Sequence, residues 1–119
     1  MNARDALSQL ESVGGAEGLK QTYEVLQGKR HYIVGSLSRV KRHSGNFNIV
    51  STEAVEAARS SLAGQEGVTS RDVRQRLARR GIDVETLEAL NVLYVLVALG
   101  QARVDRRRSQ HALFFNVAG

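Results

Sequence analysis

Apolar residues in the first third of the chain recur at steps of three, four and seven positions. The spacing runs through residues 3–13, stops at Gly14–Gly15 and resumes on both sides of Gly28, at Leu19, Tyr23, Leu26, Ile33, Leu37 and Val40. Side chains three or four residues apart share one face of a helix. The pattern therefore predicts a helical arm over residues 1–46, which serves in packing or dimerisation. A strand over Tyr32–Gly35 is the alternative, because the HYIVG sequence is rich in β-forming residues.

Capping residues and glycines divide residues 47–119 into three helices and a hairpin. The expected N-caps are Ser51 or Thr52, Thr69 or Ser70, and Asp83, and the three helices are expected to end at Gly64, Gly81 and Gly100. Residues 102–104 and 112–117 favour strands, and the polar segment 106–110 favours a turn between them.

The third of these helices is apolar on nearly all sides. Its sequence, VETLEALNVLYVLVAL, leaves only a few polar positions. A helix that is hydrophobic all round is buried on more than one face. We therefore expect either the arm at 19–43 or a second subunit to cover it.

The net charge of +5 comes from 17 Lys and Arg against 12 Asp and Glu, and it is unevenly distributed. Basic residues collect in three segments, at 29–42, 71–80 and 103–108. Clusters of this kind suit a polyanionic partner, because each neutralised phosphate releases counterions. Solvated faces that only keep the protein soluble are the alternative explanation.

The order of elements over residues 52–117 resembles the winged helix-turn-helix family. The resemblance rests on VTSRDVRQRL at 68–77 for the short strand and second helix, on LYVLVALG at 93–100 for the end of the third helix, and on ARVDRRRSQHALFFNV at 102–117 for the two-stranded wing. It implies a mainly α fold with a small β-hairpin, in which the helical arm (1–46) precedes a winged helix-turn-helix domain (47–119).

The resemblance also implies duplex DNA binding, with the third helix in the major groove and the wing on the backbone. The candidate contact residues are Arg71, Arg74, Arg79, Arg80, Arg106, Arg107, Arg108 and Gln110. Glu85 and Glu88 on the third helix would repel phosphates, so backbone binding is favoured over sequence reading. We expect a dimeric transcriptional regulator or nucleoid-type factor. The alternatives are an interaction module that joins a larger complex through the apolar third helix, or an RNA- or ribosome-binding protein.

Other classes find little support in the sequence. The chain has no Cys, which excludes disulfides, thiolate zinc sites and a thiol nucleophile, and its three His residues are far apart. The glycines at 14–18 lack the Gly-Lys-Ser/Thr of a phosphate-binding loop. We therefore expect no enzyme activity, cofactor or metal. The start of the chain lacks a secretory signal, and the longest apolar run, 92–99, is too short to cross a bilayer, so a cytoplasmic location is expected.

Overall fold

The computed structural model describes residues 11–17, 21–38, 45–109 and 112–119. Across these residues the chain forms six strands and three helices. In chain order they are β1 (Glu11–Glu17), β2 (Gln21–Gln27), β3 (His31–Ser38), β4 (Gly45–Ser51), α1 (Thr52–Leu62), α2 (Ser70–Ala78), α3 (Thr86–Ala98), β5 (Ala102–Val104) and β6 (Phe115–Val117). None of the described helices has the length and apolar character needed to span a bilayer.

The first four strands form an antiparallel sheet in the order β1-β2-β3-β4. Alternate residues of each strand point to opposite faces of a sheet, and the inward positions carry the apolar side chains. Val25 pairs with Val34, and Tyr32 pairs with Val50; all four of these side chains are buried. The β2–β3 connection is a tight turn at 28–30, in the middle of the predicted helical arm.

The prediction of a helical arm over 1–46 is therefore wrong for every described residue of that segment, and the strand alternative at Tyr32–Gly35 is correct. Residues 1–10, 18–20 and 39–44 lie outside the described residues. The protein is a small α/β domain and not a mainly α winged helix preceded by a helical arm. The helical stripe was misleading because Tyr23 and Leu26, three residues apart, fall on opposite faces of β2.

The helices of the second half begin close to the expected residues. Ser51 caps α1 by accepting a hydrogen bond from the N–H of Ala54 at 3.1 Å. Thr69 and Asp72 form a reciprocal capping box at the start of α2. The third helix starts later than expected, because Glu85 and not Asp83 is its N-cap residue, without a side-chain hydrogen bond.

Strands β5 and β6 form a second, two-stranded sheet. Val68, which lies just before α2, adds one further paired residue to this sheet on the side of β6. Val68 and Phe115 exchange two backbone hydrogen bonds of 2.8 Å each. The N–H of Gly67 also donates to Oδ1 of Asn116 at 3.0 Å. These bonds fix the hairpin to the N-terminal end of α2.

Helix α3 occupies the centre of the molecule and is covered on two sides. Its buried side chains pack with those of α1 and α2, among them Val55, Leu62, Val73 and Leu77. The four-stranded sheet covers another face: the rings of Tyr94 and Tyr23 stack with centroids 4.2 Å apart. One turn further on, Gly14 of β1 lies against the backbone of Ala98. Residues of the expected arm therefore do cover the third helix, but as a sheet within the same chain.

Candidate nucleic-acid interface

The segment that follows β5 is a well-defined turn built around the carboxylate of Asp105. We call residues 105–109 the arginine turn. Asp105 is only 5% exposed, and its carboxylate accepts a hydrogen bond from the N–H of Arg107 at 3.2 Å. Its backbone carbonyl accepts from the N–H groups of Arg108 and Ser109. The arginines of this turn are therefore displayed on an ordered backbone.

The environment of Asp105 keeps its carboxyl group ionised. Burial alone would raise the pKa, but the combined effect of its partners is a lowered pKa. These partners are the side chain of Asn116, the backbone N–H groups of Arg107 and Arg108, and the Arg108 charge. Since Asn116 also binds Gly67, one side chain links the arginine turn to the loop before α2.

The arginines of the hairpin differ in what they contact. Arg103, Arg106 and Arg107 are exposed, and their guanidinium groups donate no hydrogen bond to any of the described residues. The guanidinium of Arg108 lies 3.6 Å from the carboxylate of Asp105 and packs over Gly67. Arg106 and Arg107 are therefore available to an external anion, whereas Arg108, whose side chain is 51% exposed, is already paired with Asp105.

The arginines of α2 divide in the same way. Arg74 donates to the carbonyl of Val84 and the hydroxyl of Thr86, both at 3.1 Å, and so ties α2 to the start of α3. Arg76 donates to the carbonyl of Ser61 at 3.0 Å and so ties α2 to α1.

Three other α2-region arginines are exposed and, within the described part of the chain, have no hydrogen-bond acceptor: Arg71, Arg79 and Arg80. Five of the predicted contact residues therefore have exposed guanidinium groups with no partner within the described residues: Arg71, Arg79, Arg80, Arg106 and Arg107. Arg74 and Arg108 are engaged within the fold, and Gln110 lies outside the described residues.

A cleft that the sequence did not reveal lies between the hairpin and the four-stranded sheet. It has a volume of about 780 Å³, and Arg103, Arg106 and Arg107 contribute to its lining. Tyr23 of β2 and Val97 of α3 line it as well. Arg103 was not among the predicted contact residues, and the geometry of this cleft is what places it beside Arg106 and Arg107.

The third helix offers little that could read bases. The seven residues Ala89 and Asn91–Leu96 are buried, and the sheet packs where Tyr94 and Ala98 would otherwise be exposed. The exposed positions at its N-terminal end are Thr86 and Leu87. Reading the major groove requires polar side chains on an accessible helix face, and α3 does not present one.

Comparisons of this chain with protein-family models, with curated proteins and with solved structures found no match.

Proposed function

We propose that this protein binds duplex DNA through the phosphate backbone, as a transcriptional regulator or nucleoid-type factor. The observation that carries the proposal is the pair of exposed guanidinium groups of Arg106 and Arg107. They project from a turn whose backbone is fixed by a buried, ionised Asp105. A guanidinium group is suited to phosphate because its planar fork of donors can bind two oxygens at once.

The connection between the arginine turn and α2 extends this surface. The Val68–Phe115 and Gly67–Asn116 bonds hold the hairpin against the N-terminal end of α2, where Arg71 is exposed. Arg79 and Arg80 lie at the other end of the same helix, roughly 13 Å away at 1.5 Å per residue. A rigid set of cations with this reach can contact several phosphates of one duplex.

The coverage of α3 by the sheet favours binding without base readout. Phosphate contacts fix the position of a protein on a duplex but carry no sequence information. We therefore expect similar affinity for duplexes of different sequence. With α3 covered, the hairpin is the element left to contact the duplex, through the exposed side chains of Arg106 and Arg107.

The test is the salt dependence of binding to a random-sequence DNA duplex, followed by fluorescence anisotropy. Each phosphate contact contributes about 0.9 to the slope of log K against log salt. The variant Arg106→Ala/Arg107→Ala should therefore lower the slope by roughly two. The matched control is Arg30→Ala/Arg59→Ala, which removes the same charge from the β2–β3 turn and from α1 and should leave the slope nearly unchanged.

Two outcomes would contradict the proposal. Equal losses of slope in both double variants would show that net charge, and not this site, causes binding. Absence of salt-sensitive duplex binding by the wild type would remove DNA as the partner. A structured RNA tested in parallel distinguishes the ligand class, because tighter binding to the RNA would favour the RNA alternative.

A further inference from the structure

The two outer strands of the four-stranded sheet are protected very differently against pairing with another strand. Strand β1 has glutamates at both ends, two glycines, and a register shift between Ser12 and Gly14. Charges, bulges and irregular backbone are the devices by which edge strands avoid further pairing. Strand β4, with the sequence GNFNIVS, has no charge, no proline and an unbroken register with β3.

The outer edge of β4 is also unpaired within the described residues. The strand pairs with β3 alone, and the backbone groups of residues 45–50 form no hydrogen bonds elsewhere in the described part of the chain. Two large apolar side chains stand exposed on the same face of this strand: Phe47 is 64% exposed and Ile49 is 63% exposed. An uncharged edge of this length that carries exposed apolar side chains is a template for strand addition.

The sequence of β4 is suited to pairing with itself. In an antiparallel pair of two copies centred on Asn48, Phe47 of each copy lies opposite Ile49 of the other. Aromatic and β-branched residues in such cross-strand positions stabilise a sheet. Like charges do not face each other at any position of the strand, because β4 has none.

We propose that a second copy of this chain adds its β4 antiparallel to this one, in a register centred on Asn48, to form a continuous eight-stranded sheet. The two-fold symmetry closes the assembly, because both β4 edges are paired with each other and the outer edges of the eight-stranded sheet are the protected β1 strands. Growth therefore stops at the dimer. This inference rests on the sheet edge alone and is independent of DNA binding. It replaces the expected helical arm with a strand as the dimerisation element.

Sedimentation velocity from micromolar to millimolar concentrations should show a reversible monomer–dimer equilibrium. The proposed register makes a specific prediction for paired substitutions. In Phe47→Lys/Ile49→Lys, like charges face each other across the interface, and we expect the dissociation constant of the dimer to rise above that of the wild type. In Phe47→Lys/Ile49→Glu, each cation faces an anion, and we expect a dissociation constant about tenfold lower than in the double-lysine variant.

A matched control is Leu87→Lys, since Leu87 is a comparably exposed side chain, 59% exposed, on α3. This variant should dimerise like the wild type. Hydrogen exchange supplies a second measurement: the outward amides of β4 should become protected as concentration rises, while those of β1 stay unchanged. Circular dichroism checks that each variant is folded.

The proposal is overturned by a wild type that stays monomeric throughout this range, or by assemblies that grow beyond the dimer. Equal dissociation constants for the two paired variants would refute the register. Loss of the dimer in Leu87→Lys would place the interface elsewhere.

Discussion

Gly14 is the position at which the packing of the sheet on α3 can be tested most directly. Its φ of +143° lies in a region that side-chain-bearing residues rarely adopt. A methyl group added there would lie 2.5 Å from the carbonyl oxygen of Ala98 and 3.3 Å from its Cα. These neighbours are backbone atoms of a helix and cannot rotate away, so β1 would have to move off α3.

The cost of Gly14→Ala has two parts. Backbone strain at such a φ is worth about 1–3 kcal/mol, and forcing extra volume into a packed contact adds about 1–3 kcal/mol. We expect a total of about 4 kcal/mol, against a typical stability of about 5–15 kcal/mol for a domain. With a urea m-value of about 2 kcal/mol/M, the midpoint of unfolding should fall by about 2 M.

Two alanine substitutions separate these contributions in urea titrations followed by circular dichroism. Gly81 has a φ of +76°, but a Cβ there would meet nothing within 4 Å, so Gly81→Ala measures backbone strain with a cost of about 1–2 kcal/mol. Gly15 has no positive φ, and its added Cβ would lie 3.1 Å from the carbonyl oxygen of Tyr23, so its substitution tests mild crowding. If Gly14→Ala proves no more destabilising than Gly81→Ala, β1 does not pack on α3 as described.

Two further substitutions test the polar groups inside the fold. The lowered pKa of Asp105 means that its ionised form stabilises the fold above the unfolded pKa of about 3.9, a contribution lost as pH falls through the lower folded pKa. Asp105→Asn should therefore be less stable than wild type at pH 7, with the difference shrinking below about pH 4 in thermal melts; a gap that stays constant across this range would contradict the assignment. Asn91 is 1% exposed, and its Oδ1 has no hydrogen-bond partner in the described residues, so Asn91→Leu should raise the free energy of unfolding by about 1–2 kcal/mol. The substitution also removes the 2.9 Å hydrogen bond from Asn91 Nδ2 to the carbonyl of Leu87, so destabilisation by Leu would show that this bond outweighs the cost of the unpartnered oxygen.

The parts of the fold that the sequence predicted are those held by local interactions. The caps at Ser51 and Thr69 bind backbone groups three residues away, so their signals lie within one turn of sequence. Gly81 and Gly100 adopt positive φ just after their helices, which is the usual place for glycine at a helix end. The first sheet is different, because its stability comes from pairs such as Leu26 with Ile33 that depend on chain reversal.

A signal for the sheet was nevertheless present. In β2, the exposed Thr22 and Glu24 alternate with the more buried Tyr23 and Val25, which is the period of two expected of a half-buried strand. The competing steps of three and four came from combining residues of both faces and both strands into one stripe. The spacing of apolar residues alone could not distinguish a helix from short strands here, since each short strand contributes only two or three residues to each face.

The candidate site was predictable as a cluster but not residue by residue. Charge counting identified the segments 71–80 and 103–108. Whether an arginine is available depends on which acceptors the fold brings to it, and for Arg74 that acceptor is a carbonyl ten residues away. The same limit applies to Arg103, because only the geometry of the cleft shows it beside Arg106.

The packing of Tyr94 decides between the two ways in which this fold could approach a duplex. Burial raises the pKa of Tyr94, and its hydrogen bond with Tyr23 raises it further, so the phenol stays neutral under the sheet. A large aromatic side chain buries at least 150 Å², worth about 4 kcal/mol at 25 cal/mol per Å². Opening the sheet to place α3 in a groove would expose the part of this surface that Tyr23 covers, together with the sheet side chains packed on α3, whereas one good base contact returns only about 1–3 kcal/mol. The exposed arginines require no such opening, which is why the proposed DNA binding is assigned to phosphate contacts through the hairpin.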